Sequence, residues 1–278
     1  MYSNRTNTIS FMTANFVARE LDYNMDGGWG QGDRATNDYF RPLETFAERF
    51  EGVLKEIRAM DFDTIDLWLA QLNPEWATDE HIASARQLLD RYGFSLASFA
   101  GWFGASAGEF ERCCRLAVAL GCTVLGGTTS MLEKDRSFVV AALQKYGLRL
   151  GLENHPEKTP QVMLRQIGDG GGGAIGTTVD TGWYATQGYD AAKAIRELGD
   201  HIVYVHMKDV FKEGLPHETC RYGEGIVPLA ECVRALHEIG YEGPISLEHE
   251  PEHSDPTPDV IASRELLRGW LKGGSQHE

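Results

Sequence analysis

Arg149-Leu150-Gly151-Leu152-Glu153 is a short apolar run that ends on a carboxylate, and the chain repeats the device three times more. Ile175-Gly176-Thr177-Thr178-Val179-Asp180, Ile202-Val203-Tyr204-Val205-His206 and Pro244-Ile245-Ser246-Leu247-Glu248 each read as a strand closing on a side chain able to bind metal. Burying an unpaired charge costs several kcal/mol or more. An ordinary buried strand therefore has no use for one at its end. Four in succession point to a shared cation. The alternative is four unrelated polar strand ends satisfied by salt bridges.

Outward from these runs, strand-like and helix-like segments alternate along the chain. Candidate strands cover residues 8–14, 64–69, 94–99, 122–126, 148–153, 175–180, 202–207 and 244–248. Phe46, Phe50, Val53, Leu54, Ile57 and Met60 recur at the spacing of one apolar helix face, as do Leu229, Cys232, Val233 and Leu236. Helix starts are signalled by a Ser106/Glu109 capping box, by Thr159-Pro160 and by Thr257-Pro258. Eight unbroken β-then-α units predict an α/β fold, a (β/α)8 TIM barrel in one domain over residues 1–272, with a flexible tail at 273–278. An open doubly wound sheet is the runner-up. The dinucleotide-binding version loses support because no Gly-x-Gly-x-x-Gly follows the first strand. Gly170–Gly173 reads as a flexible turn. Asn15 to Arg41 is the longest irregular stretch, and two readings stand for it: a cover over a substrate, or an ordered surface insertion.

The chain has 278 residues, 42% hydrophobic and 24% charged, which suits a globular domain, and barrels use roughly 250 residues as one unit. A net charge of −15 argues against nucleic acid and against anionic membranes as partners. Met1 to Ser10 lacks the basic start and apolar core of a signal peptide, and no apolar stretch reaches bilayer-spanning length. The five cysteines follow neither zinc-finger nor Cys-x-x-Cys spacing, so a reducing, cytoplasmic location is expected.

Side-chain parity along a strand sharpens the cluster. Glu153 and His155 oppose Leu152; His206 and Lys208 oppose Val205 and Met207; Glu248 and Glu250 oppose Leu247. The apolar set would face the helices and the polar set the barrel mouth. Three carboxylates and one imidazole suit a hard to borderline divalent ion: Mn2+ first, with Mg2+, Co2+ or Zn2+ as alternatives.

At the level of motifs the chain resembles the xylose-isomerase-like barrels, a superfamily of sugar isomerases and epimerases that also holds inosose dehydratases and apurinic endonucleases. The likeness rests on Gly151-Leu152-Glu153-Asn154-His155, Val179-Asp180-Thr181-Gly182-Trp183, Val205-His206-Met207-Lys208-Asp209, Gly223-Glu224-Gly225 and Ser246-Leu247-Glu248-His249-Glu250. It implies one divalent metal held by Glu153, Asp180, His206 and Glu248. It further implies that Glu153 and Glu248 move protons on opposite faces of a ketose, inosose or keto-sugar, through an enediolate. His155 and Lys208 are further catalytic candidates, Lys208 because a lysine beside a divalent ion can have a depressed pKa. The ketose epimerases tend to carry a His where this chain has Trp183, which separates it from their pattern.

Trp68, Trp183, His155, Arg221 and Trp29 are the candidate substrate contacts, with His217 a weaker one; His81, His201 and His237 read as surface positions. The expected partner is a small-molecule carbohydrate, with neither nucleic acid nor membrane; family members are often dimers or tetramers, which leaves a homo-oligomer open, and no interface is legible in the sequence. A lyase or dehydratase acting on a keto-sugar or 3-keto-glycoside is the leading alternative, since elimination begins with the same proton abstraction. A non-catalytic sugar-binding barrel and an apurinic endonuclease rank below it. The endonuclease needs extra histidines at strands two and three, where this chain has Trp68-Leu69-Ala70 and Phe99-Ala100-Gly101.

Overall fold

Each of the eight expected strands forms, and each lies beside its neighbours in sequence. In the computed structural model, which describes residues 7–273, they are β1 (Ile9–Met12), β2 (Thr64–Trp68), β3 (Ser95–Trp102), β4 (Val124–Thr128), β5 (Arg149–Glu153), β6 (Ile175–Asp180), β7 (Ile202–Met207) and β8 (Ile245–Leu247). All pairings are parallel, and β8 pairs with β1, so the sheet closes into a barrel. Closure leaves no unpaired edge. Helices pack around it, and the apolar core fills the layer between them and the strands. Phe46, Phe50, Val53, Leu54 and Ile57 of the helix Leu43–Ala59 are all buried there, as the periodicity predicts.

Register sets the mouth. Asp180 on β6 lies opposite His206 on β7, and His206 lies opposite Ser246 on β8. Glu153 on β5 faces Thr178, two residues before Asp180. Glu248 follows the last residue of β8, so all four chemically distinctive side chains reach one rim.

Two expectations change. The stretch from Asn15 to Arg41 is not irregular: it holds two 3-10 turns and an α-helix, Trp29–Phe40. Its glycines disguised the helix. Gly32 serves close packing instead of flexibility, because a Cβ there would lie 2.4 Å from the carbonyl oxygen of Val17. His81 is buried, not on the surface: it occupies the third position of the helix Asp79–Tyr92 and completes a capping box with Thr78, with its ring edge-on to Phe46 and Trp76. The Ser106/Glu109 capping box forms as expected. Gly170–Gly173 is a turn with left-handed glycines. Gly273 ends the last helix, Thr257–Gly273, and residues 274–278 of the expected tail lie outside the described residues.

No described helix is long and apolar enough to cross a membrane. All five cysteines are free and buried, and burial pushes the thiols of Cys113, Cys114, Cys122 and Cys220 up to about 12. Thiolate is the reactive form, so these thiols should be inert in the folded chain. Ellman's reagent at pH 8 is expected to find essentially no reactive thiol in the native protein and five after denaturation. Rapid labelling of the native protein would show that the helix layer is not packed as described.

Candidate metal centre

The side chains of Glu153, Asp180, His206 and Glu248 converge so that one ligand atom from each lies within 4.8 Å of the others. His206 is the hub. Its Nδ1 is 2.7 Å from Glu153 Oε1 and 3.4 Å from Glu248 Oε2, and its Nε2 is 2.9 Å from Asp66 Oδ2. Burial opposes a charge on this ring, but Glu248, Glu153 and Asp66 hold its pKa well above the usual histidine value. Acting as a ligand through Nδ1, the ring would give up that proton and keep Nε2–H on Asp66.

The backbone fixes Asp180 and Glu248 closely. Asn154 clamps the Asp180 peptide in both directions, donating to its carbonyl at 2.9 Å and accepting from its N–H at 2.8 Å. Asn15 does the same on the far side, donating to the Leu247 carbonyl at 3.1 Å and accepting from the His249 N–H at 2.8 Å. Asp180 also caps the short helix Thr181–Thr186 by accepting from the Trp183 N–H. Asp180 Oδ2 and Glu248 Oε2 are nonetheless buried without a hydrogen bond, and meet only the ion pairs to Lys208 Nζ at 3.2 Å and His206 Nδ1 at 3.4 Å. Two carboxylate oxygens with no hydrogen bond, beside an imidazole nitrogen, are what a divalent cation would satisfy, and the residue set fits one.

Lys208 sits inside the carboxylate cluster. Its Nζ lies 3.2 Å from Asp180 Oδ2, 3.0 Å from Glu248 Oε1 and 3.1 Å from Glu250 Oε2. Burial favours the neutral amine, but these carboxylates outweigh it and hold the pKa well above the usual lysine value. Lys208 thus bridges Asp180, Glu248 and Glu250 and orients their carboxylates. A Cβ at Gly182 would lie 2.9 Å from its Cγ, which explains the glycine in Asp180-Thr181-Gly182. Burial pushes the Glu248 carboxyl well above the usual range, with Lys208 pulling it down and Glu250 pushing it up again.

A cavity of about 440 Å3 opens above the cluster. Glu153, His206 and Glu248 line it, whereas Asp180 is fully buried behind them. Trp68, Trp183, His155 and Trp29 also reach the cavity. Trp29 comes from the helical insert; its ring meets Trp68 at 5.0 Å and its N–H donates to Glu250. His155, Trp183 and His217 form a three-ring stack, with centroids 4.1 and 4.2 Å apart. Burial and the neighbouring Lys208 push His217 down to about 3, so its ring is neutral. Arg221 is the exception: it does not line the cavity and pairs with Glu224 on the surface.

Sequence reading missed Asp66. It sits mid-strand on β2, fully buried, between Ser98 and the Nε2 of His206. The signal was available: Asp66 shares the inward parity of Trp68, in a strand otherwise made of Ile65 and Leu67 pointing outward. A carboxylate on the far nitrogen of a ligating histidine fixes the tautomer and ring orientation. Asp66→Asn is expected to weaken Mn2+ binding about 10–100-fold with an unchanged far-UV spectrum, read by paramagnetic resonance of free Mn2+. An unaltered dissociation constant would remove Asp66 from the site.

Residues 54–271 match the family model for the xylose isomerase-like TIM barrel. An uncharacterised protein of Methanocaldococcus jannaschii is 31% identical over 144 residues, covering 49% of this chain and 47% of the relative. L-ribulose-5-phosphate 3-epimerase UlaE of Shigella boydii is 37% identical over 73 residues, covering 26% of this chain and 24% of the enzyme. The chain thus spans less than half the length of these curated relatives. Among solved structures, a xylose isomerase-like TIM barrel protein from Mycobacterium smegmatis in complex with magnesium superposes with TM-score 0.71 at 20% identity, over 99% of both chains. Other structures sharing the fold include ketose 3-epimerases and a probable dehydratase. The chain belongs to the xylose isomerase-like TIM-barrel family.

Proposed function

We propose that this barrel is a divalent-metal-dependent sugar isomerase or epimerase that acts by removing a proton beside a carbonyl. The carrying observation is the division of labour around His206. Glu153 and Glu248 both line the cavity, while Asp180 sits behind them with no access to it. Asp180 can serve only as a ligand; the two glutamates can also reach a substrate. They rise from β5 and β8, separated around the barrel by β6 and β7, and so approach the cavity from different sides.

A divalent cation held by the four side chains would supply Lewis-acid polarisation of the substrate carbonyl, as Mn2+ or Mg2+ can. Glu153, with 17% of its side chain accessible, is the freer carboxylate to take the proton. Glu248, 5% accessible and reaching the cavity from the other side, is placed to return one. Return to the same carbon from the other face gives epimerisation; return to the neighbouring carbon moves the carbonyl. Lys208 keeps Asp180, Glu248 and Glu250 in place throughout. Elimination is the second reading. It is favoured by His155, which stands exposed at the cavity lip beyond the two glutamates, where it could protonate a leaving group. The partial identity to a ketose-phosphate 3-epimerase supports the carbohydrate assignment. Five free, buried thiols suit the reducing cytoplasm, and the closed barrel suits a single domain.

Turnover of a ketose in D2O by the Mn2+-loaded protein is expected to place deuterium on carbon. Glu153→Gln and Glu248→Gln should each lower turnover by about 10^2–10^4-fold, the usual contribution of a positioned acid or base. Product formed without label, or full activity in both variants, would contradict the proton-transfer route.

A further inference from the structure

The charges around the cavity say which carbohydrates can enter it. Among the described residues lining it, Lys208 is the one lysine and there is no arginine. Its ammonium is already shared by Asp180, Glu248 and Glu250. Four carboxylates, Glu153, Glu248, Glu250 and Glu252, line the same cavity. Phosphate recognition needs either free cationic side chains or a cradle of free backbone N–H groups.

The backbone cradle exists here but is filled from within. The Gly223-Glu224-Gly225 turn after β7 points the N–H groups of Gly223, Gly225 and Val227 at a single spot. The Asp209 carboxylate occupies that spot, at 2.9, 3.2 and 3.0 Å. A Cβ at Gly225 would fall 2.2 Å from Asp209 Oδ1, so the glycine accommodates the internal anion. The Trp183 N–H at the start of the Thr181–Thr186 helix is likewise taken by Asp180, and the Thr257 N–H of the last helix by Asp255. Arg221, the remaining candidate for a phosphate, is paired with Glu224 away from the cavity.

Beyond these charged groups, the walls offer apolar and neutral ones. Trp29, Trp68, Trp102 and Trp183 present ring surface, and Trp29 and Trp102 remain 43% and 51% exposed. His217 contributes a buried Nε2 with no partner, placed to hydrogen-bond a hydroxyl.

We propose that the cavity is selective for uncharged, unphosphorylated sugars, held by aromatic faces and hydroxyl hydrogen bonds, and that it rejects sugar phosphates. The inference rests on the carbohydrate reading given under Proposed function. It sets this chain apart from the relative whose name specifies a 5-phosphate substrate.

Tryptophan fluorescence of the Mn2+-loaded protein, titrated with matched pairs, tests it: L-ribulose against L-ribulose 5-phosphate, and D-fructose against D-fructose 6-phosphate. Each free sugar is expected to bind about tenfold or more tightly than its phosphate, the effect of like charge on the lining carboxylates that the metal does not take up. Millimolar inorganic phosphate should not compete. Glu252→Lys, which adds a cation at the rim, should narrow the gap within each pair. Tighter binding of the phosphates, or competition by inorganic phosphate, overturns the inference and leaves the carbohydrate assignment standing. Binding by no member of either pair overturns both.

Discussion

The mouth of this barrel is organised by an excess of buried negative charge. Asp66, Glu153, Asp180, Glu248 and Glu250 are five carboxylates that all contact His206 or Lys208, the two cationic partners in the cluster. Even with both partners charged, three negative charges are left over (five less two). A low-dielectric setting makes such an imbalance costly, because buried charge is tolerated only when paired. The structure relieves part of it by raising the Glu248 carboxyl well above its usual range through burial. A divalent cation among Glu153, Asp180, His206 and Glu248 would relieve it more completely, while releasing protons from ligands that must be ionised to bind.

Everything around the cluster serves to hold that imbalance in place. The parallel register delivers Asp180 opposite His206, and Asn154 and Asn15 clamp the peptides that carry Asp180 and follow Glu248. Thr181 bonds both the N–H and the carbonyl of Lys208 at 2.8 Å. Asp209, one residue on, ties the turn after β7 into a fixed loop. These contacts join neighbouring strands, so the geometry of the site depends on closure of the whole barrel.

The parts legible in the sequence were those with a simple period. Strand alternation exposed the inward set Glu153, His206 and Glu248, and the 3.6-residue period exposed the buried face of Leu43–Ala59. Asp66 carries the inward parity, but the partner that gives it a role, His206 on β7, lies 140 residues away and meets it only across the closed barrel. The helix Trp29–Phe40 escaped because Gly30 and Gly32 signal flexibility locally, and the close packing of Gly32 against Val17 and Met25 appears only in the fold. The ion pairs of Lys208 were not legible, since its carboxylate partners come from β6 and the end of β8 and meet it only when the barrel closes. Arg221 was assigned to the cavity from loop position alone, and its neighbour Glu224 holds it outside.

A calorimetric titration of chelator-treated protein with Mn2+ tests the shared cation most directly. One equivalent should bind, and Asp180→Asn, which removes a ligand that never faces the cavity, should abolish or severely weaken that binding. Absence of binding to the native protein, or undiminished binding by the variant, would mean that the four side chains do not hold one ion.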